Sequence, residues 1–264
     1  MPSLENTYRQ NVLLKVSYDG SHFSGWQIQK KDGIALGGTV QEALELSLSN
    51  LHKTKIKTWA AGRTDAGVHA REQGVNFFTN IKSISAKQFP NAINAFLPKS
   101  VRVMEAFFVK DVFNARFNAL SRTYRYFILC GNRIYPYQVP YCFNLKYFPS
   151  LEKLNLLASV LQGEKDFSFF AYARDKSISK FRYVKNAHFF IEGSYLVFEI
   201  CATSFLWKMV RSIVGTLLEY EKKGLSHLYL KEKMESGERK YTGPTAPPNA
   251  LFLWQVEYPH DIFC

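Results

Sequence analysis

No apolar run in the 264-residue sequence approaches the roughly 18 residues needed to cross a bilayer. The opening Met1-Pro2-Ser3-Leu4-Glu5 lacks the charged-then-apolar pattern of an export signal. A soluble, cytoplasmic chain with no membrane association is therefore expected. Cysteine is scarce: Cys130, Cys142, Cys201 and Cys264 stand far apart, and no two of them form a C-x-x-C pair. The six histidines form no H-x-x-x-H set. Zinc sites and dithiol redox motifs both lack their spacing, so the expectation is no metal and reduced thiols. Repeats and low-complexity segments are missing too, which excludes collagen and coiled coil and argues against disorder.

What is present is apolar and basic. Hydrophobic residues make up 47% of the chain, enough for one large core or two modest ones. The formal net charge is +12, and it is not spread evenly. Residues 61–190 hold 19 basic against 8 acidic side chains, whereas 1–60 contribute +2 and 191–264 contribute −1. A concentrated excess suits an anionic polymer, and a solvated basic face is the plainer alternative. Aromatics at 16% favour the polymer, because bases stack on rings while Lys and Arg hold phosphates.

The patterning predicts an α+β chain in two halves. In the first, Val12–Tyr18 reads as a strand, followed by a glycine-punctuated loop over 19–38. Thr39-Val40-Gln41-Glu42 is a capping box, and Val40, Leu44, Leu48 and Leu51 recur at helical spacing. Strands are expected over Lys55–Ala61, Gly74–Phe78 and Val101–Val109, with a short helix opened by Ser85-Ala86-Lys87-Gln88. That order, β-α-β-β-α-β, is ferredoxin-like. The second half repeats it in outline. A strand over Thr123–Leu129 precedes a helix over Leu151–Gln162 closed by Gly163, and Tyr183–Ile191 and Tyr195–Ala202 read as a hairpin around Gly193-Ser194. The longest helix spans Leu206–Lys223 and is stopped by Gly224; Phe252–Tyr258 is a last strand. The expected subdomains are 1–110 and 111–264, with a cleft possible between them.

Four segments are candidates for chemistry. Gly62-Arg63-Thr64-Asp65-Ala66-Gly67-Val68-His69-Ala70 puts a carboxylate on a loop between glycines, with Arg63 two residues earlier to favour its ionised form. Such an aspartate suits nucleophilic catalysis, and an ordinary Asx-turn is the alternative. Phe113-Asn114-Ala115-Arg116-Phe117 leads to Arg122-Thr123-Tyr124-Arg125-Tyr126, where Arg122, Tyr124 and Tyr126 share one strand face and Arg125 points to the other. That face could bind a phosphate and stack a base, although tyrosine also packs well in plain sheets. Arg211 borders the apolar stripe of the longest helix, either paired with a site carboxylate or snorkelling to water. Thr242–Leu251 reads as a rigid proline-rich turn with no visible chemistry.

Taken in order, these segments resemble the tRNA pseudouridine synthase A family. The resemblance rests on Tyr18-Asp19-Gly20 with Phe23 and Gly25-Trp26-Gln27, Thr39-Val40-Gln41 and Gly62–Ala70. It continues through Phe113–Phe117, Arg122–Tyr126, Met209-Val210-Arg211 with Val214-Gly215-Thr216-Leu217, and Ala246-Pro247-Pro248 with Leu251. It implies a pseudouridine synthase fold: two halves joined through an antiparallel sheet, with the site in a central cleft. It also implies an isomerase that converts uridine to pseudouridine at positions 38, 39 and 40 of the tRNA anticodon stem-loop, by base flipping, as a homodimer without metal or organic cofactor. By residue, Asp65 matches the nucleophile and Arg63 an arginine linked to base extrusion. Tyr124 matches the stacking tyrosine, Arg211 the arginine paired with the aspartate, and Leu251 an apolar wall. Arg116, Arg122, Arg174, Lys176, Lys180 and Arg182 are the expected RNA-binding cations. Two positions depart from the family pattern: Lys165 stands where a histidine is frequent, and Ala250 where glycine is usual. A non-catalytic tRNA-binding or RNA-folding protein on the same scaffold is the main rival. An aspartate-based phosphoesterase ranks last, since only Asp65 and Glu72 lie near one another in sequence.

Overall fold

A computed structural model describes residues 9–31 and 34–264. The N-terminal segment read for an export signal, and Asp32-Gly33 of the glycine-rich loop, lie outside the described residues. The chain forms two compact units, one of residues up to 120 together with 256–264, the other of residues 121–255.

In the first unit, β1 (Gln10–Tyr18) is followed by the short pair β2 (Lys30–Lys31) and β3 (Ile34–Ala35), then α1 (Val40–His52), β4 (Trp59–Ala60), β5 (His69–Thr79), α2 (Phe89–Asn94) and β6 (Val101–Val109). β1 pairs antiparallel with both β6 and β5, and β4 adds to β5. The fourth strand of the ferredoxin-like order thus lies beside the first, the first beside the third, and the third beside the second. β1 is central, with Val12, Leu13 and Leu14 buried on both faces at 0–1% exposure, while Lys15 and Ser17 leave one face partly exposed further along. α1 starts where the capping pattern predicts, the Glu42 amide donating to Thr39 Oγ1 at 3.3 Å.

The predicted strand over Lys55–Ala61 shrinks to Trp59–Ala60. Its first residues satisfy their amides on α1 side chains instead: Ile56 N donates to Ser49 Oγ at 3.1 Å and Thr58 N to Glu45 Oε1 at 3.0 Å. The division between units also falls later than residue 110. A buried amide relay explains it: Asn76 Nδ2 donates to Asn11 Oδ1, Asn11 Nδ2 to the Phe113 carbonyl, and Ala115 N to Asn76 Oδ1. Phe113 and Ala115 then pack with Leu13, Val109 and Ile262, so 111–120 and the C-terminal residues belong to the first core.

The second unit runs β7 (Ser121–Cys130), β8 (Phe143–Leu145), α3 (Leu151–Ser159), β9 (Gly163–Asp166), β10 (Phe181–Glu192), β11 (Tyr195–Ala202), α4 (Met209–Lys222), α5 (His227–Ser236) and β12, which begins at Leu251 and ends at Glu257. Its strand order is β12-β7-β11-β10-β9, so the main strands again lie fourth, first, third, second. β8 joins β7 in parallel, an exception to the antiparallel expectation. The hairpin forms as predicted, with Glu192 opposite Tyr195 across Gly193-Ser194. Gly163 begins β9 rather than closing α3, which ends at Ser159. α4 begins at Met209 because Lys208 is left-handed (φ 60°) and Met209 N turns back to the Leu206 carbonyl. Among the described residues, no helix is long and apolar enough to cross a membrane.

Candidate active site

Asp65 lies on the 61–68 connection between β4 and β5, half-buried, with Arg63 exposed beside it and Thr64 buried between them. The turn closes locally, Val68 N donating to the Asp65 carbonyl at 3.2 Å, with Gly67 at φ 76°. A second segment, Tyr18–Trp26, forms the seat of this turn. Trp26 N donates to the Thr64 carbonyl at 3.1 Å, Tyr18 Oη and Thr64 Oγ1 are 2.8 Å apart, and Gly67 N reaches the Phe23 carbonyl at 3.4 Å. Gly25, at φ 104°, permits the approach: a methyl group there would lie 2.8 Å from the Thr64 carbonyl oxygen and 3.2 Å from the Ala66 nitrogen. Asp65 is therefore placed by backbone hydrogen bonds between its turn and the Tyr18–Trp26 segment.

His69 completes the seat. It is 1% exposed, and its Nδ1 accepts from Gly20 N at 3.0 Å, which leaves the ring proton on Nε2. Asp19 Oδ1 lies 3.2 Å from the same nitrogen. The same carboxylate accepts from Ser21 N at 2.9 Å. Sequence reasoning assigned no role to Gly25, Thr64 or His69, although Gly25 stands in one quoted block and Thr64 and His69 in another.

The second unit carries the other candidates. Tyr124 is buried on β7, edge-on to the Phe205 ring with centroids 5.0 Å apart. Arg122 donates to the Thr203 carbonyl at 2.7 Å. On the opposite face, as predicted, Arg125 pairs with Glu199 (2.6 Å) and Glu192 (3.0 Å) and lies 4.4 Å over the Trp254 ring, a structural network. Arg211, in the first turn of α4, is half-buried and its Nε donates to the Ala246 carbonyl at 2.7 Å. One polar partner that sequence spacing did not reveal is thus a backbone oxygen 35 residues downstream. Leu251 is buried as the first residue of β12, and the preceding Ala250 is fully buried.

By exposure, the six cations divide evenly. Arg116 is exposed, 5.5 Å from the centre of the Phe117 ring, which is itself 79% exposed; Arg174 and Lys176 are exposed on the 171–180 loop. Arg122, Lys180 and Arg182 bond within the fold. Lys180 Nζ binds Asp175 Oδ1 at 2.5 Å, and Arg182 donates to the Ser179 carbonyl at 2.9 Å. Burial alone would raise the Asp175 carboxyl, but Lys180 and the Trp207 and Ser177 amides hold it well below the usual carboxylate range.

A family profile described as tRNA pseudouridine synthase matches residues 15–118 and 157–259, which include the Asp65 turn and all of α4. The chain belongs to the tRNA pseudouridine synthase family. Tested against individual relatives, it is 53% identical over 254 residues to tRNA pseudouridine synthase A of Treponema denticola, covering 96% of this chain and 95% of the relative. It is 42% identical to the protein of the same name from Treponema pallidum, covering 89% and 84%, and 40% identical to that of Borreliella afzelii, covering 94% and 99%. Tyr18–Trp26, the Asp65 turn and the Arg211 helix all fall within the matched residues, and members of this family are isomerases.

Proposed function

We propose that this chain isomerises uridine to pseudouridine at positions 38, 39 and 40 in the anticodon stem-loop of tRNA, with Asp65 as the nucleophile. The observation that carries this reading is the Asp65 turn, a half-buried carboxylate locked by Trp26, Tyr18 and Gly25 within a chain of this family. In the reaction the glycosidic C–N bond breaks, the uracil turns, and C5 joins the ribose carbon; C5 then gives up its hydrogen as a proton and the freed N1 takes one up, so the formula is unchanged. The carboxylate of Asp65 opens that bond, and Arg211 pairs with it. The target base is stacked in the stem and must be flipped out, at a cost of a few kcal/mol. Arg63, exposed next to Asp65, assists extrusion, and Tyr124 stacks on the flipped base, worth ~1–3 kcal/mol. Leu251 lines the pocket. Of the six expected cations, the exposed Arg116, Arg174 and Lys176 hold the folded tRNA, largely by its shape, while Arg122, Lys180 and Arg182 serve the fold. The enzyme acts as a homodimer without metal or organic cofactor.

The test is tritium release from tRNA labelled at uridine C5. Release by the native protein and none by Asp65→Asn is the expected result, with release lost stepwise as uridines 38, 39 and 40 are replaced by cytidine. Bound tRNA with no release would favour the RNA-binding alternative. Equal release from native and variant would leave the reaction standing and remove Asp65 from it.

A further inference from the structure

We infer that the segment Gly243–Ala250, which carries no chemistry of its own, is the positioning element for Arg211, and that Gly215 and Tyr126 act through it. The inference rests on the reading that the Arg211 guanidinium serves the reaction. Arg211 and Ala246 are joined twice, Arg211 Nε to the Ala246 carbonyl at 2.7 Å and Ala246 N to the Arg211 carbonyl at 3.1 Å. A guanidinium is planar with its donors in a fixed fork, so a bond at Nε fixes the plane and the direction of the remaining nitrogens. The strap itself is held on three sides. Gly243 N donates to Thr216 Oγ1 at 3.0 Å, the buried Tyr126 hydroxyl donates to the Pro247 carbonyl at 3.0 Å, and Asn249 Nδ2 donates to the Val139 carbonyl at 2.7 Å.

Gly215 allows the contact. It lies one turn after Arg211 on α4, and a methyl group there would sit 1.7 Å from the Pro244 carbonyl oxygen. Backbone on backbone leaves no side chain to swing aside, so any larger residue must displace the strap. In a helix interior alanine is otherwise preferred to glycine, which makes glycine here a choice of approach over helix propensity. Burial pushes the Tyr126 phenol above its usual range, against the opposing Arg211 charge, so the hydroxyl remains a donor at neutral pH.

The test is a double-mutant cycle read by single-turnover tritium release and by tRNA affinity. Gly215→Ala should lower the rate about 100-fold, the scale of a 1 Å misplacement, and Tyr126→Phe about 3- to 10-fold, with the Kd for tRNA unchanged in both. Arg211→Lys keeps the charge but has no Nε donor beside a second fork edge, so in that background both substitutions should cost nothing further. Tyr126→Phe alone decides the matter if Gly215→Ala does not fold. Equal losses in the native and Arg211→Lys backgrounds, or a loss in Kd instead of rate, would overturn the inference. A native rate in Arg211→Ala would instead overturn the reading on which it rests.

Discussion

In the first unit the connection between the second and third strands of the ferredoxin-like order is the 61–68 loop that carries Asp65, whereas in the second unit the same connection is the two-residue turn Gly193-Ser194. The second helix shows the reverse. α2 is only six residues long and carries no candidate, while α4 runs for 14 and presents Arg211. One strand order thus appears twice, and the candidate side chains occupy different slots in each copy. Topology supplies the frame, and local additions supply the chemistry. The fixing devices differ too. Asp65 sits on a loop clamped by an earlier segment, Arg211 on a helix clamped by a later one.

Between the two connections, the larger effect should follow from disturbing the seat of the loop. Gly25→Ala forces a residue with φ 104° against the Thr64 carbonyl. It should cost about 1–3 kcal/mol of stability in urea unfolding and at least about tenfold in tritium-release rate. The equivalent change in the second unit is Gly193→Ala, at φ 60° with nothing within 4 Å. It should cost about 1–2 kcal/mol and leave the rate at the native value; a slowed reaction would mean that both connections matter.

The smallest effect concerns how each first helix is tied to its sheet. In the first unit His52 Nδ1 donates to the Leu48 carbonyl and Nε2 accepts from Thr79 Oγ1 at 2.9 Å. In the second, Asn155 makes the corresponding tie to both the N–H and the carbonyl of Phe189. Burial lowers the His52 pKa from 6.5, with the Leu48 bond opposing. The unfolded chain therefore takes up the proton first. The contribution of neutral His52 is complete above pH 6.5 and is lost as the pH falls through the folded-state value. His52→Gln should flatten the decline in stability between about pH 7 and pH 5 by less than about 1 kcal/mol. An Asn155→Gln control should leave that slope as in the native protein, and so should separate the two units.

Much of this frame is legible in the sequence where burial follows a period. α1, β6 and the β10–β11 hairpin appear where spacing and turn residues put them. α5 was not predicted, since only Leu230 and Met234 of its ten residues are buried and the apolar stripe is too thin to announce a helix. The Lys55–Thr58 stretch misleads for the opposite reason, having strand-like composition but backbone groups claimed by Glu45 and Ser49. Asp65 is visible because its turn is locally unusual. The groups that hold the candidates are not: a carbonyl such as that of Ala246 has no signature in composition, and Gly215 reads as a minor defect in a helix.

Residues 256–264 follow the whole of the second unit in the chain, yet Ile262 packs beside Leu13, and Phe263 bridges to Val109. Translation therefore passes through the whole of 121–255 before it makes the piece that closes the first core. Until those last residues dock, the face formed by Leu13, Val109 and Phe113 lacks its cover.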